Sequence, residues 1–264
     1  MITDPLLSHL LDIASDPAAA DLILGGGFGI RVKQIYLKAQ GLRTLVPSVP
    51  EARATQDLDF FLQMALFIQK ERGGAIRTLL DRLAYQEYTP KWQFGKPFDT
   101  AKPDIKVKVD LLARTPLEGE NVRMKRPRVG VGTGMEIHGR ETPEAFAIED
   151  MPFRVPLSGI RPDGTEVNTS ILVPHPYASL NMKVKAAHDW LLMERGARPR
   201  KDNAERHVFD VFMLIAMLTE TELGESVELP SATRHFPWHK RFVNARMNCT
   251  EISSRLAWSS YNGR

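Results

Sequence analysis

The chain has 264 residues, 43% of them hydrophobic and 25% charged, a composition that excludes both disorder and a fibrous repeat. Its length can bury a large core without staples. One cysteine, Cys249, excludes an internal disulfide framework, and 35 basic against 32 acidic residues leave a net charge of +3, which permits a polyanionic partner without requiring one.

Residues 5–15 carry a helical apolar stripe at Leu6, Leu7, Leu10, Leu11 and Ile13. The run Leu22-Ile-Leu reads as a buried strand stopped by Gly25-Gly-Gly, with a helix over Ile30–Ala39 after it. Residues 41–55, with two prolines, read as an exposed loop. Asp57-Leu-Asp-Phe-Phe-Leu alternates as a strand, and residues 73–85 repeat apolar groups at helical spacing. Lys91–Phe98 and Ile105–Leu112 read as two strands. In the second, Ile105, Val107 and Val109 share one face, and Lys106, Lys108 and Asp110 the other.

Residues 120–150 read as irregular, with a short helix near 142–147. Phe153–Ser158 and Val167–Val173 form an expected hairpin around Arg161-Pro-Asp-Gly. Past Pro176 the pattern turns helical: Leu180, Val184, Ala187 and Leu191 mark one helix, and 203–219 another, with Asp202 as its expected cap. From Pro230 onward one or two short helices are expected. The expected architecture is α+β, a mixed sheet flanked by helices over 1–174 followed by a helical domain over 175–264. No basic stretch precedes the first apolar run, and no segment approaches the apolar length of a membrane helix. The expectation is a cytoplasmic protein that does not touch a membrane.

Three acids and a glycine turn concentrate the chemistry. Asp57 and Asp59 lie two apart on a strand, so their side chains leave the same face about 6 to 7 Å apart. Neighbouring carboxylates repel unless a cation lies between them, and a hard dication such as Mg²⁺ prefers oxygen ligands. If the strand carrying Asp110 is adjacent, the third acid joins them, a set suited to two metals. Glycines between a strand and a helix let backbone N–H groups approach phosphates.

The order Leu24-Gly-Gly-Gly-Phe-Gly-Ile, Asp57-Leu-Asp-Phe-Phe and Val107-Lys-Val-Asp-Leu-Leu resembles the nucleotidyltransferase superfamily of DNA polymerase beta. Within it, the likeness is to the AbiEii/AbiGii-type toxin nucleotidyltransferases of toxin–antitoxin and phage-defence systems. Lys183-Val-Lys-Ala-Ala and Arg206-His-Val-Phe-Asp210 resemble that family's two later helical motifs, so the likeness spans roughly 20–220. The resemblance implies a nucleotidyltransferase fold and transfer of NMP from an NTP to an acceptor, the 3′ end of a tRNA or other RNA. It implies Asp57, Asp59 and Asp110 as catalytic metal ligands for two Mg²⁺ ions, with Mn²⁺ as the alternative. Gly26 and Gly27 would cradle the triphosphate, Lys183 would contact the nucleotide, and Asp210 would support it. A cognate antitoxin is the implied protein partner.

Two departures stand out. Gly27 sits where many members have serine, and 30 residues separate it from Asp57, the excess falling in loop 41–55. Lys185 is the rival of Lys183, and His207 is expected to pack rather than catalyse. Asp210 lies among apolar neighbours and needs Lys183 or Arg206 as a partner, either as a structural ion pair or as a nucleotide contact. Basic clusters at 123–128, 195–201 and 234–246, the last with Phe236, Trp238 and Phe242, are candidate nucleic-acid contacts. The competing functions are a small-molecule (antibiotic-type) or protein nucleotidyltransferase, and a catalytically degenerate binding module.

Overall fold

The computed structural model describes residues 5–99, 102–193 and 201–232. Two compact units divide the chain, one ending at Glu222 and the other beginning at Leu223. In the first, α1 (Pro5–Ala14) is followed by β1 (Ile23–Leu24), α2 (Gly26–Ala39), β2 (Asp57–Phe61), α3 (Met64–Ile68), α4 (Lys70–Arg82), β3 (Gln86–Thr89), β4 (Gln93–Asp99) and β5 (Lys102–Ala113). Short strands β6 (Met124–Lys125), β7 (Arg128–Val129) and β8 (Gly139–Glu141) precede a single turn of 3-10 helix at Pro143–Ala145. The hairpin β9 (Phe153–Ile160) and β10 (Glu166–Val173) then leads into α5 (Pro176–Met193), α6 (Lys201–Ala216) and α7 (Glu220–Ala232).

The strands form one mixed sheet in the order β6-β7-β8-β5-β2-β1-β10-β9, with β4 pairing with β5 and β3 with β4. Antiparallel β1/β2 and parallel β2/β5 put the expected acid-bearing strands side by side. The alternation of β2 and β5 decides which face is which. Leu58, Phe60, Val107, Val109 and Leu111 point into a core shared with α1, α3 and α4, while Asp57, Asp59 and Asp110 take the opposite face. Helix α2 is buried on two sides. Phe28 and Val32 join that core, while Ile30 and Leu37 pack on Met213 and Leu214 of α6 and on Met217 just past its end in a second cluster. The mixed sheet flanked by helices matches the expected α+β architecture. The change of character near 174 marks where strands give way to helices, and α5 and α6 lie in the same compact unit as the sheet.

Several elements differ from the sequence reading. Helix α2 starts at Gly26, four residues before the expected Ile30, because glycines conceal helical periodicity without preventing the helix. The region 120–150 holds three paired strands rather than irregular chain, each too short to show a period. Ile105 is 38% exposed rather than in the core with Val107. There β5 pairs only with β4, beyond the reach of β2. Helix α6 already includes Asp202, which is therefore inside the helix and not its cap. Helix α7 is one the sequence reading lacks and follows a reciprocal cap, while the helices expected from Pro230 onward lie, past Ala232, outside the described residues. Glu222 N–H donates to Thr219 Oγ1 (3.2 Å), and Thr219 N–H donates to the Glu222 carboxylate (3.0 Å). The cluster 234–246, nearly all of 195–201, and Cys249 lie outside the described residues. Among the described residues, no helix is long and apolar enough to cross a membrane.

Candidate active site

Parallel pairing of β2 with β5 sets Asp59 opposite Asp110 and Asp57 opposite Lys108. The three carboxylates thus sit on one face of two adjacent strands. Across the next strand pair, Gly25 N–H donates to Asp59 C=O at 2.8 Å, which fixes the β1–α2 turn against β2. Gly26 has φ +64°, and a Cβ there would fall 1.8 Å from Asp59 Oδ2. Only glycine lets the turn close over that carboxylate. Gly26→Ala is therefore expected to cost about 1–2 kcal/mol in backbone strain alone, and to displace Asp59. A thermal melt should fall by a few degrees, and an unchanged melting temperature would contradict this geometry.

Gly27 meets a different neighbour. A Cβ there would lie 2.9 Å from Arg53 Nη2, so a guanidinium fills the space that a serine would need. Arg53 lies in the segment read as an exposed loop, and nothing in the sequence reading singled it out. It grips Asp210 through two hydrogen bonds, Nε to Oδ1 at 3.0 Å and Nη2 to Oδ2 at 3.1 Å. Lys183 on α5 completes the group, with Nζ 2.7 Å from Asp210 Oδ2. The partner of Asp210 is thus Lys183 together with Arg53, while Arg206, one turn earlier on α6, is exposed. Lys185 pairs instead with Asp189.

The electrostatics divide the carboxylates. Burial pushes Asp59 up to about 6; Lys183 and Arg53 oppose the rise, and Asp110 and Asp57 add to it. Burial also raises Asp110, while a hydrogen bond from Gln93 Nε2 (2.8 Å) and the charges of Arg140 and Lys108 hold it back. Asp210 goes the other way. Burial favours its neutral form, yet Lys183 and Arg53 outweigh burial and hold it below the usual carboxylate range. His207 is pushed down to about 4 by burial and then by Lys183, so it stands neutral beside the ion pair.

As they stand, no three His, Cys, Asp or Glu side chains among the described residues are arranged to enclose a metal ion. Two of the acids have partners of their own, Asp57 with Lys108 Nζ at 3.9 Å and Asp110 with Gln93 Nε2 at 2.8 Å. The donor set still fits a hard dication. It offers only carboxylate oxygens, and mutual repulsion among them is written into the raised Asp59.

Of the residues expected from sequence, Asp57, Asp59, Asp110, Gly26 and Gly27 converge on one turn of the sheet. Lys183 is close enough to act on the Asp59 charge, and Asp210 reaches the group through Lys183 and Arg53. No curated protein matches the chain, and no solved structure does. The model of one family, described as "Nucleotidyl transferase AbiEii toxin, Type IV TA system", matches residues 10–243, the greater part of the chain and all of this site. The chain belongs to the AbiEii nucleotidyltransferase toxin family of type IV toxin–antitoxin systems.

Proposed function

We propose that this protein transfers NMP from an NTP to a hydroxyl at the end of an RNA acceptor, the 3′ end of a tRNA being the expected one, and that an antitoxin restrains it. The observation that carries the reading is the juxtaposition of Asp57, Asp59 and Asp110 on one sheet face with a glycine turn that closes over Asp59. Asp57, Asp59 and Asp110 would hold Mg²⁺ or Mn²⁺, which supplies Lewis-acid stabilisation of charge on the α-phosphate and on departing pyrophosphate.

The chain's own groups do the rest. Backbone N–H groups at Gly26 and Gly27, at the start of α2, face the triphosphate with the positive end of the helix dipole. Arg53 and Lys183 add cationic charge beside that turn, and Asp210 fixes both side chains in place. The acceptor oxygen attacks the α-phosphorus, the bond to the β-phosphate oxygen breaks, and pyrophosphate leaves. Asp110, with its carboxyl raised by burial, takes the proton of the acceptor hydroxyl.

The test is transfer of label from each NTP labelled at its α-phosphate, with Mg²⁺ and total RNA. Label in a tRNA-sized band is the expected result, and label in the protein itself or nowhere would overturn the RNA acceptor. Asp57→Ala, at a half-exposed position, should keep the wild-type melting temperature. It should lose transfer by about 10²–10³-fold or more, the scale of removing a preorganised charge-stabilising group. Full activity in that variant would refute the site.

A further inference from the structure

The open face of the sheet carries more than the acids. Following the strand order away from β2 and β5, β8, β7 and β6 come next. Their registers place Arg140 of β8 opposite Arg128 of β7, and Arg128 opposite Lys125 of β6. Arg140 in turn stands opposite Leu112 of β5, two residues past Asp110 and so on the same face. A row of three cations therefore runs across the sheet and ends beside the site.

That arrangement is unusual on physical grounds. Side chains directly opposite on neighbouring antiparallel strands have Cβ atoms about 4.5–5.5 Å apart, and like charges in such pairs destabilise the sheet. Here two such pairs follow one another. Among the described residues no carboxylate forms an ion pair with Lys125, Arg128 or Arg140. The acid on β8, Glu141, faces the other way, where Arg126 Nε and Thr115 Oγ1 hold it at 3.1 and 3.0 Å. The guanidinium of Arg140 instead lies over the ring of Trp92, 5.4 Å from its centroid, at the foot of β4. Of the three, Arg140 alone has a site carboxylate, Asp110, near enough to feel its charge. A row of like charges costs stability in the isolated protein, and a polyanion laid across it removes that cost.

We infer that the Lys125–Arg128–Arg140 row seats the phosphate backbone of a single-stranded nucleic acid, with Trp92 and Arg140 forming the stacking surface for the base nearest Asp110. The inference rests on the nucleotidyl-transfer reading for the direction of the strand, its terminal hydroxyl toward Asp110. Cations at strand spacing beside a half-buried indole suit successive phosphates and a stacked base. An acidic peptide carries its charges on flexible side chains, whereas a single-stranded nucleic acid supplies a stackable base with every phosphate. Of the three basic clusters in the sequence, 123–128 is thereby given a direction, through registers that the sequence does not reveal.

The test uses the full chain and a short unstructured RNA oligonucleotide with a free terminal hydroxyl, its binding followed by fluorescence anisotropy over a range of salt. Neutralising each phosphate on a single strand contributes about −0.7 to the slope of log K against log salt. The double variant Arg128→Gln/Arg140→Gln should therefore bind more weakly, with a slope shallower by about 1.4. It should melt at or above the wild-type temperature, because a like-charge pair is gone, while Lys125→Gln, at the end of the row away from Asp110, should leave calorimetric binding of Mg-NTP unchanged. Lys125→Gln should shift the slope by about half as much.

An unchanged slope in the double variant overturns the inference. So does displacement of the RNA by polyglutamate of equal charge as effectively as by unlabelled RNA, which would assign the row to an acidic protein. The two readings fail separately. Row-dependent RNA binding without any transfer refutes the transferase reading and leaves the row standing. Transfer to RNA with an unchanged KM for RNA in the double variant refutes the row and leaves the transferase.

Discussion

Asp59→Asn is expected to make the protein more stable at neutral pH and to abolish transfer. Burial is the largest cause of the raised Asp59 carboxyl, about 6 against an ordinary 3.8, and Asp110 and Asp57 add repulsion that Lys183 and Arg53 only partly offset. A raised carboxyl means that the folded state binds the proton more tightly than the unfolded one. Below about pH 4 the group is protonated in both states and costs nothing. Between pH 4 and 6 the unfolded chain loses the proton first, and the penalty grows by about 1.36 kcal/mol per pH unit. Above pH 6 it is constant, on the order of 2–3 kcal/mol.

The neutral, nearly isosteric asparagine avoids that penalty. Urea denaturation in the presence of a chelator should show the variant more stable by about 2–3 kcal/mol at pH 7, with the difference vanishing near pH 4. Equal stability at pH 7 would mean that the carboxylate is not strained as the structure indicates. The same linkage sets the dication's dependence on pH. Metal and proton compete for Asp59, so the affinity for Mg²⁺ should fall about tenfold per unit as pH drops below 6. A carboxylate that destabilises its own fold beneath the glycine turn, where the proposed nucleotide site lies, fits the pattern of stability given up for function.

The sequence carried the centre of this site and missed its margins for a common reason. Asp57, Asp59 and Asp110 were legible because strand alternation is local: two-residue periods put them opposite Leu58, Phe60, Val107 and Val109, all of which are buried. Their meeting needed only one further fact, the parallel β2/β5 pairing. Arg53 was illegible because it sits in a proline-containing segment without a period, and its partner Asp210 lies 157 residues away. The same holds for Arg128 and Arg140. Two- and three-residue strands have no period to read, and only their register shows that the cations share the acids' face. Helix α7 is a different case, since Thr219-x-x-Glu222 was a readable capping signal in the sequence. Long-range ion pairs and short-strand registers are properties of topology, and no local pattern encodes them.

The sequence also left Asp210 divided between a structural ion pair and a direct nucleotide contact, and the geometry argues for a structural part with consequences for the site. Its side chain is 2% exposed, and both oxygens are engaged, Oδ1 by Arg53 and Oδ2 by Arg53 and Lys183. It presents no free lone pair to a ligand as directly as it presents two cations. Asp210→Ala should therefore destabilise the protein by about 3–5 kcal/mol, because it leaves Lys183 and Arg53 together without a counter-charge. The pH signature is opposite to that of Asp59. A carboxyl held below its ordinary range contributes stability that is complete above the unfolded pKa and is lost as pH falls through the lower folded value. The wild-type advantage over Asp210→Ala should thus shrink in acid, whereas Asp59→Asn loses its advantage there.

A double-mutant cycle separates the ion pair from the cavity left by truncation. Lys183→Met combined with Asp210→Leu removes that pair and keeps apolar volume, leaving the partly exposed Arg53 as the one cation without its counter-charge. It should be less destabilised than Asp210→Ala, with a coupling of about 0.5–3 kcal/mol. Additive losses would show that Asp210 does not act through Lys183. Both variants should lose transfer, the first through two misplaced cations and the second through the loss of Lys183 and the release of Arg53. The double variant should do so at a melting temperature nearer the wild type than that of Asp210→Ala, because one unpaired cation remains rather than two.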